Sequence, residues 1–130
     1  MIGIDTSALI DLFKRDSAIK ELLEKINEEI ILNQTVYLEL MFGINPKDRS
    51  HDDEERFYDE IFESFSVLGL DKNASKKASE IFWKLKAEGK EISQLDCTIA
   101  AVYLSNKIDT IITKNEKHFK KIKGLKVLSY

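Results

Sequence analysis

The sequence predicts an α/β fold, a three-layer sandwich with a central, mostly parallel sheet of four or five strands flanked by helices. Three observations predict it. Short apolar runs alternate with longer segments along the whole chain. The longer segments repeat their apolar residues at helical spacing. The short runs are apolar almost throughout, as strands buried on both faces are.

The elements follow in order. Residues 1–4 (MIGI) form the first strand candidate. Two helices are predicted next, over 6–14 and 17–27. The first carries Ala8, Ile10, Leu12 and Phe13, and the second Ile19, Leu22, Leu23 and Ile26. Residues 29–33 (EIILN) read as the second strand. Residues 34–42 and 52–64 read as helices, separated by a loop at Pro46, the only proline. The third strand is FSVL at 65–68. A long helix at 73–87 carries Ala74, Ala78, Ile81, Phe82 and Leu85. The next, at 93–106, carries Ile99, Ala100, Val102, Tyr103 and Leu104. TIIT at 110–113 is the fourth strand, 115–121 a short helix, and 126–129 a last edge strand. Crossovers between parallel strands of such a sheet are right-handed.

Composition sets bounds. The chain has 130 residues, which fits a single domain over 1–130. An apolar fraction of 43% and a charged fraction of 33% read as soluble and globular. The single cysteine excludes an internal disulfide framework and points to a reducing compartment. No run approaches the roughly 20 apolar residues of a membrane span. No signal peptide is visible, so a cytoplasmic location is expected, with no membrane partner. The net charge of −3 argues against wrapping nucleic acid by bulk charge but leaves room for a local basic surface. Charge is indeed uneven. HDDEERFYDEIFE at 51–63 is acidic, and KNEKHFKKIKGLK at 114–126 holds six lysines. Both runs also fit ordinary solvated helix faces.

Ligands of open α/β sheets bind beyond the carboxyl ends of the strands. Asp5 follows the first strand and Asn115 follows the fourth, so both fall on that edge. Asp109 lies at the other end of the fourth strand and is excluded. Each remaining acid has a plain explanation when taken alone. Asp5-Thr6-Ser7 could simply cap a helix. Ser93-Gln-Leu-Asp96 fits a capping box. Glu39, the one charge within TVYLELMFG at 35–43, shares a helical stripe with Thr35 and Gly43 that could meet water. Together the three are harder to dismiss. Carboxylates gathered without basic partners repel one another unless a cation sits between them. Hard oxygen donors suit Mg²⁺ or Mn²⁺. No histidine or cysteine spacing suggests zinc. His51 and His118 read as surface residues, and Cys97 as a small core residue.

Four stretches carry a resemblance. IDTSALI at 4–10 has a strand, an aspartate and a following hydroxyl. YLELMFG at 37–43 contains Glu-Leu-x-x-Gly. LDCTIAA at 95–101 joins an aspartate to Ile-Ala-Ala. IITKNEKHF at 111–119 matches Thr-x-Asn/Asp-x-x-x-Phe. In this order, over nearly the whole chain, they resemble the PIN-domain nucleases, particularly the VapC-type toxin ribonucleases of toxin–antitoxin pairs. The resemblance implies that Asp5, Glu39 and Asp96 hold Mg²⁺ or Mn²⁺. Asn115 then occupies a fourth catalytic position, where many relatives have aspartate. An amide oxygen adds no charge, which leaves one ion or two open. Thr6 or Ser7 would orient a ligand or its water; Ser7 stands where asparagine is common. The implied activity is metal-dependent endoribonucleolytic hydrolysis. Lys114, Lys117, Lys120 and Lys121 are the nearest candidates for the RNA backbone. The implied partners are RNA, an antitoxin and a second copy in a homodimer. A non-toxic PIN nuclease of RNA maturation and a catalytically silent binding module remain as alternatives. A phosphoacceptor receiver domain does not. It needs paired acids after the first strand and an aspartate ending a middle strand, and neither IDT at 4–6 nor FSVLGL at 65–70 supplies them.

Overall fold

The computed structural model describes residues 1–130. Five strands form one sheet: β1 (Ile2–Ile4), β2 (Ile30–Asn33), β3 (Val67–Leu68), β4 (Thr110–Ile112) and β5 (Lys126–Leu128). Their order is β3-β2-β1-β4-β5, and every pairing is parallel. The seven helices are α1 (Thr6–Phe13), α2 (Ser17–Lys25), α3 (Gln34–Phe42), α4 (Asp52–Ser64), α5 (Lys72–Ala87), α6 (Gln94–Ser105) and α7 (Glu116–Phe119). Right-handed crossovers put α1 to α4 on one face and α5 to α7 on the other. The packing follows this division, α1 meeting α2, α3 and α4 and α6 meeting α5 and α7, except that α3 also meets α6. This is the expected three-layer sandwich, with a sheet that is wholly parallel.

Local differences from the expected boundaries have local causes. The helix expected to reach residue 27 ends at Lys25, with Ile26 already in extended backbone. The third strand keeps only Val67 and Leu68 of its expected four residues. The strand of the fourth run, TIIT, ends at Ile112; the Thr113 N–H still donates to the Leu128 carbonyl at 3.1 Å, and its hydroxyl turns to another role. A single 3₁₀ turn at Arg49–His51 was not expected. Asp48 starts it, accepting from the Ser50 N–H at 3.0 Å.

Strand order reverses at β1, since β2 and β4 lie on opposite sides of it. Such a switch point opens a crevice at the strands' carboxyl ends. Tyr103 of α6 shapes this point. The β1–β2 ladder pairs Ile2 with Ile30 and Gly3 with Ile31. Beyond it, the Tyr103 hydroxyl accepts from the Ile4 N–H at 3.0 Å. Its own proton has the carbonyls of Ile4 at 2.8 Å and Ile31 at 3.0 Å within reach. The ring lies flat against Gly3: a Cβ there would meet three of its carbons at 2.6–2.7 Å. Tyr103 is fully buried and cannot swing away. Gly3→Ala should therefore destabilise the fold by about 2–3 kcal/mol, the usual cost of overpacking a rigid core. A urea melt unchanged from wild type would show that the ring can yield.

Candidate metal centre

Three chain segments converge on the crevice. Asp5 leaves β1 directly, its N–H held by the Ile112 carbonyl of β4 at 2.9 Å. Glu39 comes from the middle of α3. Asp96 comes from the first turn of α6. One carboxylate oxygen from each lies within 4.8 Å of the others. Asp5 and Asp96 are buried and Glu39 is half-buried. The sequence expectation for these three acids thus corresponds to a single cluster.

Asp5 stands at the N-cap of α1, but its side chain makes no capping bond. Its Oδ2 instead accepts from Thr113 Oγ1 at 2.8 Å and Ser7 Oγ at 3.0 Å. Those hydroxyls are themselves fixed. The Lys114 N–H donates to Ser7 at 3.0 Å and the Asn115 N–H to Thr113 at 2.9 Å. Asp5 Oδ1 is buried with no partner, as is Thr6 Oγ1 beside it in sequence. Asp96 does sit in a half-formed capping box, its N–H donating to Ser93 Oγ at 3.1 Å. Its carboxylate turns elsewhere, to His118 Nδ1 at 3.0 Å. Glu39 lies on the stripe of Thr35 and Gly43; Thr35 is buried and Gly43 exposed, but the Glu39 carboxylate between them is half-buried and meets the other two acids.

Burial pushes the Asp5 carboxyl up to about 6, against the hydrogen bonds of Thr113, Ser7 and the Thr6 backbone, with the Asp96 charge adding to the rise. A buried carboxylate oxygen with no donor is costly. A cation between the three acids would remove that cost and their mutual repulsion. The donor set is all oxygen, which fits Mg²⁺ or Mn²⁺.

Asn115 is exposed and starts α7, with no side-chain capping bond. Lys114 faces α1, 3.5 Å from Asp11, which also accepts from the Tyr130 hydroxyl at 2.7 Å. Lys120 pairs with Glu116 one turn earlier. Lys117 and Lys121 are exposed, with no carboxylate partner. Cys97 is buried as expected, and burial pushes its thiol up to about 11, which removes it as a nucleophile.

Three residues of the site went unremarked as functional in the sequence. His118, read there only as surface, is half-exposed yet touches Asp96. Thr113, within the motif at 111–119, donates to Asp5, a bond that the motif alone does not indicate. Asn33 is fully buried; it caps α3 through the Thr35 N–H at 3.0 Å and donates to the Ile99 carbonyl of α6 at 2.9 Å. That one side chain ties the helix of Glu39 to the helix of Asp96. A polar residue ending an apolar strand, as in IILN, was the available signal.

The PIN domain family model matches residues 2–125. The chain belongs to the PIN-domain family. That family is one of nucleases. Solved structures of similar fold agree in extent. VapBC2 from Rickettsia felis, bound to a DNA fragment from their promoter, superposes with a TM-score of 0.85 at 22% identity, over 100% of this chain and 99% of that one. VapBC-1 from nontypeable Haemophilus influenzae gives 0.79 at 26% identity, over 99% and 98%. Mycobacterium tuberculosis VapC20, a sarcin-ricin loop cleaving toxin, gives 0.67 at 19%, over 85% and 87%. No curated protein matches the sequence.

Thr113→Val keeps the volume of this PIN domain's buried threonine and deletes one donor to Asp5. Losses of such outer hydrogen bonds cost about 10–100-fold in metal affinity. The expected result is a drop of that size in Mn²⁺ affinity by calorimetry, with an unchanged circular dichroism spectrum.

Proposed function

We propose that this chain is a divalent-metal-dependent endoribonuclease, the toxin of a toxin–antitoxin pair. The observation that carries the reading is the cluster of Asp5, Glu39 and Asp96, with Asp5 Oδ1 buried and unpartnered. In the reaction, a water oxygen forms a bond to phosphorus, the bond to the leaving ribose oxygen breaks, and that oxygen takes up a proton. A Mg²⁺ or Mn²⁺ ion held by the three acids would supply an acidified water and neutralise charge on the phosphate.

The chain's own residues have separable parts. Thr113 and Ser7 saturate Asp5 Oδ2 and so leave Oδ1 for the ion. His118 fixes the orientation of Asp96. Thr6, with its free hydroxyl, and Asn115, exposed at the start of α7, are the polar groups available to a ligand or its water. None of the carboxylates needs to attack the substrate. Exposed Lys117 and Lys121, without carboxylate partners, are the ones free to take phosphates, and Lys114 and Lys120 would have to leave their present carboxylate partners to do so.

An antitoxin partner is supported by the similar folds, which include complexes described as VapBC and as a toxin-antitoxin complex from Klebsiella pneumoniae. A homodimer belongs to the same proposal. Leu38 and Phe42, one helical turn apart on α3, are large apolar side chains left exposed for a partner surface.

The test is cleavage of a mixed RNA pool with and without Mn²⁺. Cleavage only with the ion supports the reading; none under either condition overturns it. Glu39→Gln examines the ion site separately. It should keep the fold and lose about tenfold or more in Mn²⁺ affinity, at least what an outer-shell loss costs. Equally tight binding would return Glu39 to the role of a solvent-facing residue.

A further inference from the structure

A basic cleft of the protein shares no lining residue with the three acids. It occupies about 670 Å³ between α5 and the turn linking α7 to β5. Lys77, Glu80, Ile81, Lys84 and Leu85 line it from α5, with Glu88 just past the helix end. They recur at helical spacing and so form one stripe. Lys120, Lys121 and Lys123 face them from the turn. Gly124, at φ +86°, lets the chain reverse there toward β5. Buried Ile81, Leu85 and Ile122 hold the two walls together beneath.

Five lysines against two glutamates, Glu80 and Glu88, line this cleft in a chain whose net charge is −3. Only Lys120 has a carboxylate partner, Glu116. Lys77, Lys84, Lys121 and Lys123 have none, and no aromatic residue lines the cleft. Like charges facing each other across a concavity focus a positive potential and draw in a polyanion. Lys77 and Lys84 are seven residues apart, about 10 Å along the helix, so they suit an extended ligand better than a single anion. The cleft is joined to the crevice along the chain. Its turn follows α7, whose His118 touches Asp96, and α5 runs back into α6, which carries Asp96 in its first turn.

We infer that this cleft is the track for the phosphate backbone of the RNA substrate, with Lys77, Lys84 and Lys123 joining Lys121 as phosphate contacts. The inference rests on the ribonuclease reading. Without aromatic stacking platforms, the track holds phosphates and does not read bases.

Fluorescence anisotropy in EDTA, with short labelled oligouridylate and oligoadenylate, tests it without cleavage. The combined variant Lys77→Gln, Lys84→Gln, Lys123→Gln should bind both oligonucleotides about tenfold or more weaker. Its slope of log affinity against log salt should fall by about 2, since each phosphate contact contributes about 0.7 on a single strand. Lys20→Gln, Lys25→Gln, Lys47→Gln makes the same change in net charge outside the cleft and should bind as wild type. Equal losses in both variants, or none in the first, overturn the inference. So does a wild-type preference for polyglutamate over RNA, which would make the cleft an acidic-peptide site. Failure of the ribonuclease reading looks different: wild type would then cleave no RNA with Mn²⁺, whatever its oligonucleotide affinity in EDTA. Thermal stabilisation by Mn²⁺ should be equal in all three proteins, which reports intact folds.

Discussion

Asp96→Asn should abolish Mn²⁺-dependent RNA cleavage, lowering the rate by about 10³-fold or more, the range seen when a central member of a catalytic constellation is removed. The substitution is narrow. The bond that caps α6 runs from the backbone N–H of residue 96 to Ser93 Oγ, so it survives. The amide is nearly the same size as the carboxylate, and an oxygen remains for His118. What disappears is one negative charge from a three-acid cluster. Helix content and melting temperature should therefore stay near wild type while the activity goes. The variant also serves as the purification control, because a contaminating ribonuclease would follow both proteins equally. Unchanged cleavage by Asp96→Asn would sink the assignment of the cluster.

The fold was legible because its signals are local. Apolar runs such as IILN and TIIT alternate with helical segments, and a buried parallel sheet follows from that pattern. The Asp5 and Asn115 positions were legible too, since a residue following a strand lands on the carboxyl edge whatever the order of strands. Glu39 needed more. Its helix carries apolar side chains on several sides, and nothing in TVYLELMFG says which side meets the crevice. Only the family resemblance and the other two acids chose the direction. His118 was hidden for the opposite reason. It lies in a lysine-rich segment and is half-exposed, so a surface reading was correct about solvent and silent about Asp96, 22 positions earlier. Tyr103 was read as one apolar residue of a helix. Its hydroxyl contact with β1 spans 99 positions and leaves no periodic trace. The basic cleft is a similar case. The lysines of the 114–126 run were visible, but Lys77 and Lys84 join them only when α5 folds against that turn.

Asp5→Asn should stabilise the metal-free protein at neutral pH while removing its response to metal. The sign follows from the raised carboxyl, which titrates at about 6 in the fold against an ordinary 3.8. Below pH 3.8 the group is protonated in both folded and unfolded chains, and it costs nothing. As pH rises toward 6 the unfolded chain ionises first. The folded protein then binds more protons than the unfolded one, so stability falls with rising pH. Above 6 the cost is complete, at about 3 kcal/mol for a shift of two units. An asparagine does not ionise and escapes it. Its oxygen can still accept from Thr113 and Ser7, and its amide can sit where Oδ1 had no partner, facing negative neighbours. In EDTA at pH 7, Asp5→Asn should gain up to about 3 kcal/mol in urea unfolding, or about 10 °C in Tm for a chain of this size. At pH 4 the two proteins should melt nearly together. Adding Mn²⁺ should then reverse the order. Wild type gains about 4.1 kcal/mol at a thousandfold excess over Kd, and the variant, with one ligand charge gone, gains little. Equal stability of the two metal-free proteins at pH 7 would mean that Asp5 is not strained by burial. In that case the cluster would have no standing demand for a cation, and the acids would be brought together by packing alone.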